Sequence, residues 1–254
     1  MALKHLFDSV YDGRRVLITG HTGFKGSWLT LWLQSMGAQV AGLALDPDTV
    51  PSHWELLGLD VVADYRVDLR NAAAVREVFE LHRPEMVFHL AAQPLVRRSY
   101  KDPATTFDIN VMGLVNVFEA IRECPSVLTI VNATTDKVYE DHVTIDGYRE
   151  SDALGGHDPY SSSKACAEIV SACYRKSFFG RHSQASSPRL ATARAGNVIG
   201  GGDWAEDRLV PDLVRAALEG KPTKIRNPDA TRPWQHVLEP LSGYLRLGQM
   251  LLDD

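Results

Sequence analysis

Val16-Leu-Ile-Thr-Gly20, followed at once by His21-Thr22-Gly23-Phe24-Lys25-Gly26 and a helical pattern over Ser27 to Met36, decides how the rest of the chain is read. The first five residues are an apolar run of strand length, and the last ten carry apolar residues at helical spacing. Glycines at 20, 23 and 26 let the chain turn tightly, let backbone N–H groups approach an anion and let the helix pack close to its strand. The positive end of that helix would face a pyrophosphate. Strand, glycine turn and helix in immediate succession are the context a dinucleotide site needs, which makes Gly20, Thr22, Gly23, Phe24 and Gly26 candidate cofactor contacts.

The 254 residues, 44% apolar and 23% charged, suffice for one substantial core and a small second lobe. A net charge of -5 supplies no basic field for nucleic acid or an anionic membrane. No apolar run approaches the roughly 18 residues of a membrane span, and Met1 to Asp8 lacks the apolar core of a signal peptide, so the cytoplasm is the expected compartment. Cys124, Cys166 and Cys173 are few and odd in number, which argues against a disulfide framework. Nine scattered histidines form no His-x-x-x-His or His/Cys cluster, and no metal site is expected.

Further strands are expected at Gln39 to Leu45, Val61 to Val67, Met86 to Ala92, Val127 to Ala133 and Leu190 to Ala195, with helices between them from Asn71 to Leu81 and from Tyr160 to about Tyr174. This alternation predicts an α/β fold of the Rossmann type, a doubly wound parallel sheet over residues 1–196. A partial substrate lobe is expected over 197–254, containing a helix from Leu209 to Leu218, a short strand around Thr223 to Arg226 and a final helix from Pro240 to Leu252. Asp46 follows the second strand, twenty residues after Gly26. It reads either as the acceptor for both ribose hydroxyls, which opposes a 2′-phosphate and favours NAD over NADP, or as a turn residue before Pro47. Residues 140–159 form a polar loop over the site, and Arg97-Arg98 is either a surface pair or a phosphate contact.

Ligands in such sheets bind at the carboxyl ends of strands, so Thr134-Thr135-Asp136-Lys137, after the fifth strand, are active-site candidates. Tyr160 and Lys164 stand four apart at a helix start and share one face. An ammonium beside a phenol favours the phenolate, so Tyr160 is expected to have a lowered pKa and to take a proton from a sugar hydroxyl. Thr135 supplies a hydroxyl for the same reacting oxygen. Asn197, Arg208 and Arg232 are candidates for the substrate pyrophosphate that the resemblance described next implies, because a planar guanidinium binds two phosphate oxygens at once; Arg208 also fits a helix-terminal surface charge.

Gly20-x-x-Gly-x-x-Gly26, Ala91-Ala92-Gln93, Thr135-Asp136, Tyr160-x-x-x-Lys164, Arg194-x-x-Asn197 and Arg232-x-Trp234-x-x-Val237, in this order, resemble the extended short-chain dehydrogenase/reductase family and, within it, the nucleotide-sugar 4,6-dehydratases. The resemblance implies that Asp68 contacts the adenine side, that Leu90, Ala91 and Ala92 pass under the nicotinamide half, and that Gln93 faces substrate. It implies hydride transfer from sugar C4 to NAD, elimination across C5 and C6 with Asp136 as acid on the departing C6 hydroxyl, and return of the hydride to C6. The pattern has a glutamate after the aspartate, where this chain has Lys137, a departure similar to the branch acting on CDP-glucose. Lys137 then serves either as the C5 base, if neutral through proximity to Lys164, or as a charge stabilising an enolate. A 4-epimerase, which needs no acid such as Asp136, and a non-catalytic NAD-sensing module are the alternatives. Pairing into a homodimer or higher oligomer through the helices after the fourth and fifth strands is implied as well. Since Leu251-Leu252-Asp253-Asp254 closes an apolar helix where relatives continue, the lobe is expected to be incomplete.

Overall fold

The computed structural model describes residues 3–59, 63–141, 147–180, 187–223, 225 and 227–253. Its centre is a six-stranded sheet of β1 (Arg15–Thr19), β2 (Gln39–Ala44), β3 (Ala63–Arg66), β4 (Met86–His89), β5 (Thr129–Ala133) and β6 (Arg189–Ala193). The spatial order is β3-β2-β1-β4-β5-β6, and every neighbouring pair is parallel. The order reverses between β1 and β4, which opens a crevice at the carboxyl ends of the strands.

Side chains alternate across a strand, so each central strand feeds two cores. Val16 and Ile18 pack with Phe88 and Val131 beneath α1 (Phe24–Ser35) and α9 (Leu238–Asp253). Leu17, Val87 and Ile130 point to the other face, where α3 (Ala72–His82), α6 (Gly113–Arg122) and α7 (Pro159–Ser177) cover them. Local chemistry starts these helices. The Asn71 side chain accepts from the Ala74 N–H at 3.2 Å, and the Asp158 carboxylate from the Ser161 N–H at 3.0 Å, with Pro159 opening α7. Short helices α2 (His53–Leu57), α4 (Val96–Lys101) and α5 (Pro103–Phe107), a π-helical turn at Asp108–Met112 and α8 (Leu209–Leu218) complete the described elements that position the site.

Two expectations shift. The third strand is described over Ala63–Arg66, the expected start at 61 and 62 lying outside the described residues, as do 142–146 of the polar loop. Thr223 and Ile225 form no strand, and residues 224 and 226 lie outside the described set. A short strand lies instead at β8 (Trp234–His236), paired in parallel with β7 (Asn197–Ile199). Two three-residue strands joined through α8 are too short to carry a period in the sequence. The final helix does not sit apart: Val237, Leu241, Tyr244 and Leu245 are buried in the same core as Val16 and Phe88. No helix among the described residues is long and apolar enough to cross a membrane.

Candidate active site

The glycine turn is built by close backbone approach. Gly20, at φ +78°, donates its N–H to the Leu43 carbonyl at 2.8 Å, and a Cβ there would lie 2.7 Å from the Ala91 nitrogen. At Gly26 a Cβ would fall 2.0 Å from the Gly20 carbonyl oxygen. Gly23 caps α1 with no side-chain acceptor, and the first turn holds no acid, so the helix N–H groups and dipole are left for an anion. These features fit a dinucleotide pyrophosphate. Thr22 bonds the Leu45 carbonyl at 3.0 Å, and the Phe24 ring lies against Gly200. Asp46 is largely exposed, with Arg66 at 3.6 Å. Asp68 is held by Arg70, whose hydrogen bonds keep its carboxyl below the usual range.

Leu90 and Ala91 are fastened to β1: the Leu90 N–H donates to the Thr19 carbonyl at 3.0 Å and the Ala91 N–H to Thr19 Oγ1 at 3.2 Å. Ala92 follows, half-buried. The structure turns Gln93 inward, against the expectation that it faces substrate. Its amide donates to the Leu95 carbonyl (3.2 Å) and Thr106 Oγ1 (3.0 Å), and its oxygen accepts from the Leu95 N–H (2.7 Å). Asn110, in the π-helical turn, ties the backbone of Gln93 to Ser163 Oγ (2.9 Å), which bonds the Tyr160 carbonyl (2.7 Å). The loop after β4 and the start of α7 are thereby one hydrogen-bonded body.

At the end of β5, Thr135 Oγ1 donates to Asp136 Oδ1 at 3.1 Å, and the Thr135 side chain also acts on the Tyr160 phenol. The Asp136 N–H donates to the Ala195 carbonyl at 3.2 Å, and its carboxylate lies beside Gly196. Burial pushes the Tyr160 phenol up to about 12, opposed by the Thr135 hydrogen bond and the Arg208 guanidinium. The expected lowering by Lys164 is therefore corrected. Lys164 is buried and donates to the Ala133 carbonyl at 2.9 Å, and its own pKa is pushed down to about 8 by burial and the charge of Lys25. Lys137 is exposed, and the like charge acting on Lys164 is Lys25 on α1, not Lys137.

Arg208 pairs with Asp203 at 3.1 Å and still acts on Tyr160, which brings it to the site. Asn197 opens β7, its N–H bonded to the Pro233 carbonyl at 3.1 Å. Arg232 is exposed and bonds the Thr231 carbonyl (2.7 Å), although its neighbour Pro233 abuts Gly196 next to Asp136. Two buried ionisable groups escaped the sequence reading. His89 accepts or donates through Nδ1 to Thr19 Oγ1 at 2.8 Å, and burial and the charge of Lys164 depress it to about 3, so it is a neutral imidazole. Glu168 receives Thr134, Thr192 and Arg194. Tyr160, Lys164 and Glu168 run at i, i+4, i+8, a spacing that placed all three on one helical face.

A parallel sheet of this order, with a glycine cradle after β1 and a Tyr-x-x-x-Lys helix after β5, defines a dinucleotide-dependent enzyme. The chain belongs to the NAD dependent epimerase/dehydratase family, which it matches over residues 16–251. It is 50% identical over 243 residues to the CDP-glucose 4,6-dehydratase of Salmonella typhimurium, covering 95% of this chain and 68% of that enzyme. Among solved structures it is similar to an epimerase of Methanothermobacter thermautotrophicus (TM-score 0.80, 26% identity, 94% of this chain and 68% of that one). It is also similar to the UDP-glucose 4-epimerase of Thermus thermophilus in complex with NAD (TM-score 0.77, 27% identity, 92% and 74%). The chain spans about two thirds of the length of the curated relative and up to three quarters of the solved ones.

Proposed function

We propose that the chain carries the NAD-binding and reacting part of a CDP-glucose 4,6-dehydratase, a hydro-lyase converting CDP-glucose to CDP-4-keto-6-deoxyglucose. The observation that carries this reading is the meeting of Thr135, Asp136 and Tyr160 at the end of β5, with a lysine next in sequence, in a chain half identical to an enzyme of that name. NAD, when bound, supplies the acceptor for the sugar C4 hydride and the donor that returns it at C6. Tyr160 takes the C4 hydroxyl proton in its phenolate form, which the positive charge of bound NAD would favour against burial, while Thr135 hydrogen-bonds the same oxygen. Arg208 is the side-chain cation that favours the phenolate. A 4-ketone acidifies the C5 proton, which passes to a base at the sugar face as Asp136 protonates the C6 hydroxyl and water leaves, and the same base returns a proton to C5 when the hydride reaches C6. Lys137, exposed on the same turn, supplies positive charge to the enolate. Asn197, Arg208 and Arg232 hold the substrate pyrophosphate.

The lobe division at 196/197, with α9 returning to the sheet, belongs to this proposal. So do a cytoplasmic setting, supported by three free cysteines, and a dimer through the helices after β4 and β5, supported by exposed Met112 and Ile169 there. The test is incubation with CDP-, dTDP-, UDP- and GDP-glucose carrying deuterium at C4. CDP-glucose should lose one water, with deuterium appearing on C6 of the same carbon skeleton. An epimer of unchanged mass would favour a 4-epimerase. NAD binding without conversion of any sugar would favour a sensing module.

A further inference from the structure

The Glu168 carboxylate sits behind the reacting groups and gathers three elements. Its Oε1 accepts from Thr134 Oγ1, at the end of β5, and from Arg194 Nε at 3.1 Å. Its Oε2 accepts from Thr192 Oγ1 at 2.8 Å and from Arg194 Nη2 at 3.1 Å, both on the β6 side. All acceptor capacity is used, in a residue that is 4% exposed. Arg194 forms the planar fork that a carboxylate matches, and its guanidinium also lies 4.8 Å over the Tyr139 ring, which stacks on Tyr148 at 4.7 Å. Thr135, which acts on the Tyr160 phenol, directly follows the locked Thr134, and Asp136 comes one residue later.

We propose that Glu168 is the positioning residue of this site: one carboxylate on α7 locks the ends of β5 and β6 to the helix that carries Tyr160 and Lys164, and so sets the distance between Thr135, Asp136 and the phenol. The inference rests on the dehydratase reading for its chemistry but not for its geometry. Glu168 has a second effect, because it is the negative charge acting on the Lys164 ammonium. The other charged or titratable groups facing Lys164 are Lys25 from α1 and the neutral His89 from β4, with Tyr160 on its own helix. Removal of the Glu168 charge should therefore make Lys164 easier to deprotonate.

The test compares Glu168→Asp and Glu168→Gln with the parent protein, using the full chain. Aspartate keeps the charge but is one methylene too short to reach Thr134, Thr192 and Arg194 together. It should lower kcat by about 10- to 100-fold per folded molecule, with KM within about threefold, because displacements on the order of 1 Å have that effect. The 13C titration of the Lys164 Cε, identified by its loss in Lys164→Met, should stay in place. Glutamine should lower kcat as well and move that titration down by roughly one pH unit. Thr192→Val, which removes one hydrogen bond and no charge, should give a smaller kcat loss with an unmoved titration. Parental kcat per folded molecule in Glu168→Asp, or an unmoved titration in Glu168→Gln, overturns the proposal. If the parent converts no nucleotide sugar, it is the dehydratase reading that fails, and the titrations together with the hydrogen-deuterium exchange of the Thr135 amide in Glu168→Asp still decide the placement: faster exchange supports it and an unchanged rate overturns it.

Discussion

The glycine turn after β1 and the Thr134–Lys137 stretch after β5 stand at the same end of one sheet and work by opposite means. The turn acts through atoms that are missing: a Cβ at Gly26 would overlap the Gly20 carbonyl, and no side chain caps or neutralises the start of α1. The β5 end acts through atoms that are present, a hydroxyl bonded to a carboxylate with a phenol beside them, tied from behind by Glu168. A site made of backbone tolerates almost no substitution sterically and is insensitive to charge. A site made of side chains keeps its shape through many substitutions and changes its chemistry with each. Lys25 is where the two meet, since it belongs to the turn, bonds the Tyr244 hydroxyl at 3.2 Å and acts on Lys164.

The largest effect expected is at β5. Asp136→Asn should lower dehydration by about 10²- to 10⁴-fold, about 3 to 5 kcal/mol of barrier, while a 4-keto sugar retaining its C6 hydroxyl accumulates. Tyr160→Phe should stop the reaction before that ketone forms. Mass analysis of the sugar decides both, and normal water loss in Asp136→Asn removes the residue from its role. In the turn, Gly26→Ala should destabilise the fold by about 3 kcal/mol through overpacking and abolish NAD binding. Thermal melts with and without NAD measure it, and a parental melting shift would show that the cradle is not the site.

A smaller effect joins the two regions. With Lys164 at about 8 in the fold and 10.5 as its ordinary value, the unfolded chain binds a proton that the folded one releases between those limits. Stability from this group therefore grows as pH rises through that window. A reaction that needs the ammonium should decline above about pH 8 in the same window. Lys25→Met should move that decline to higher pH by about half a unit, under 1 kcal/mol. A decline that stays in place separates the turn from the chemistry. The smallest effect is at Asp46. Exposed and facing Arg66, it should change the NAD to NADP affinity ratio by less than about tenfold when replaced by alanine, as read by titration with each cofactor.

The backbone-built half of the site was legible because spacing encodes it: Gly20, Gly23 and Gly26 between a strand and a helix leave few other uses for the segment. The sheet was legible for the same reason, through apolar runs at Val16, Met86 and Val127 separated by helical periods. The side-chain half was legible in its members and not in their tuning. Tyr160 and Lys164 were named from their four-residue spacing, yet the phenol rises where it was expected to fall. Burial depends on what α7 packs against, and nothing local to Tyr160 records that. Gln93 was misread because its partners Thr106 and Asn110 come from a later helix and a π-helical turn. Trp234–His236 was missed because three residues hold no period, and its partner lies beyond α8.

The return of α9 to the sheet has a consequence for how the chain folds. The Tyr11 hydroxyl bonds the Leu245 carbonyl across 234 positions, and Tyr244 and Leu245 fill the same core as residues of β1, β4 and β5. One face of the first strand is therefore covered only in part, by α1, until residues 238–253 have docked. Such long-range closure slows folding and leaves an apolar intermediate to be protected meanwhile. Refolding followed at Trp28 and Trp32 on α1 should accordingly trail the formation of helical signal, and the lag should vanish in a circular permutant that places residues 238–253 ahead of β1.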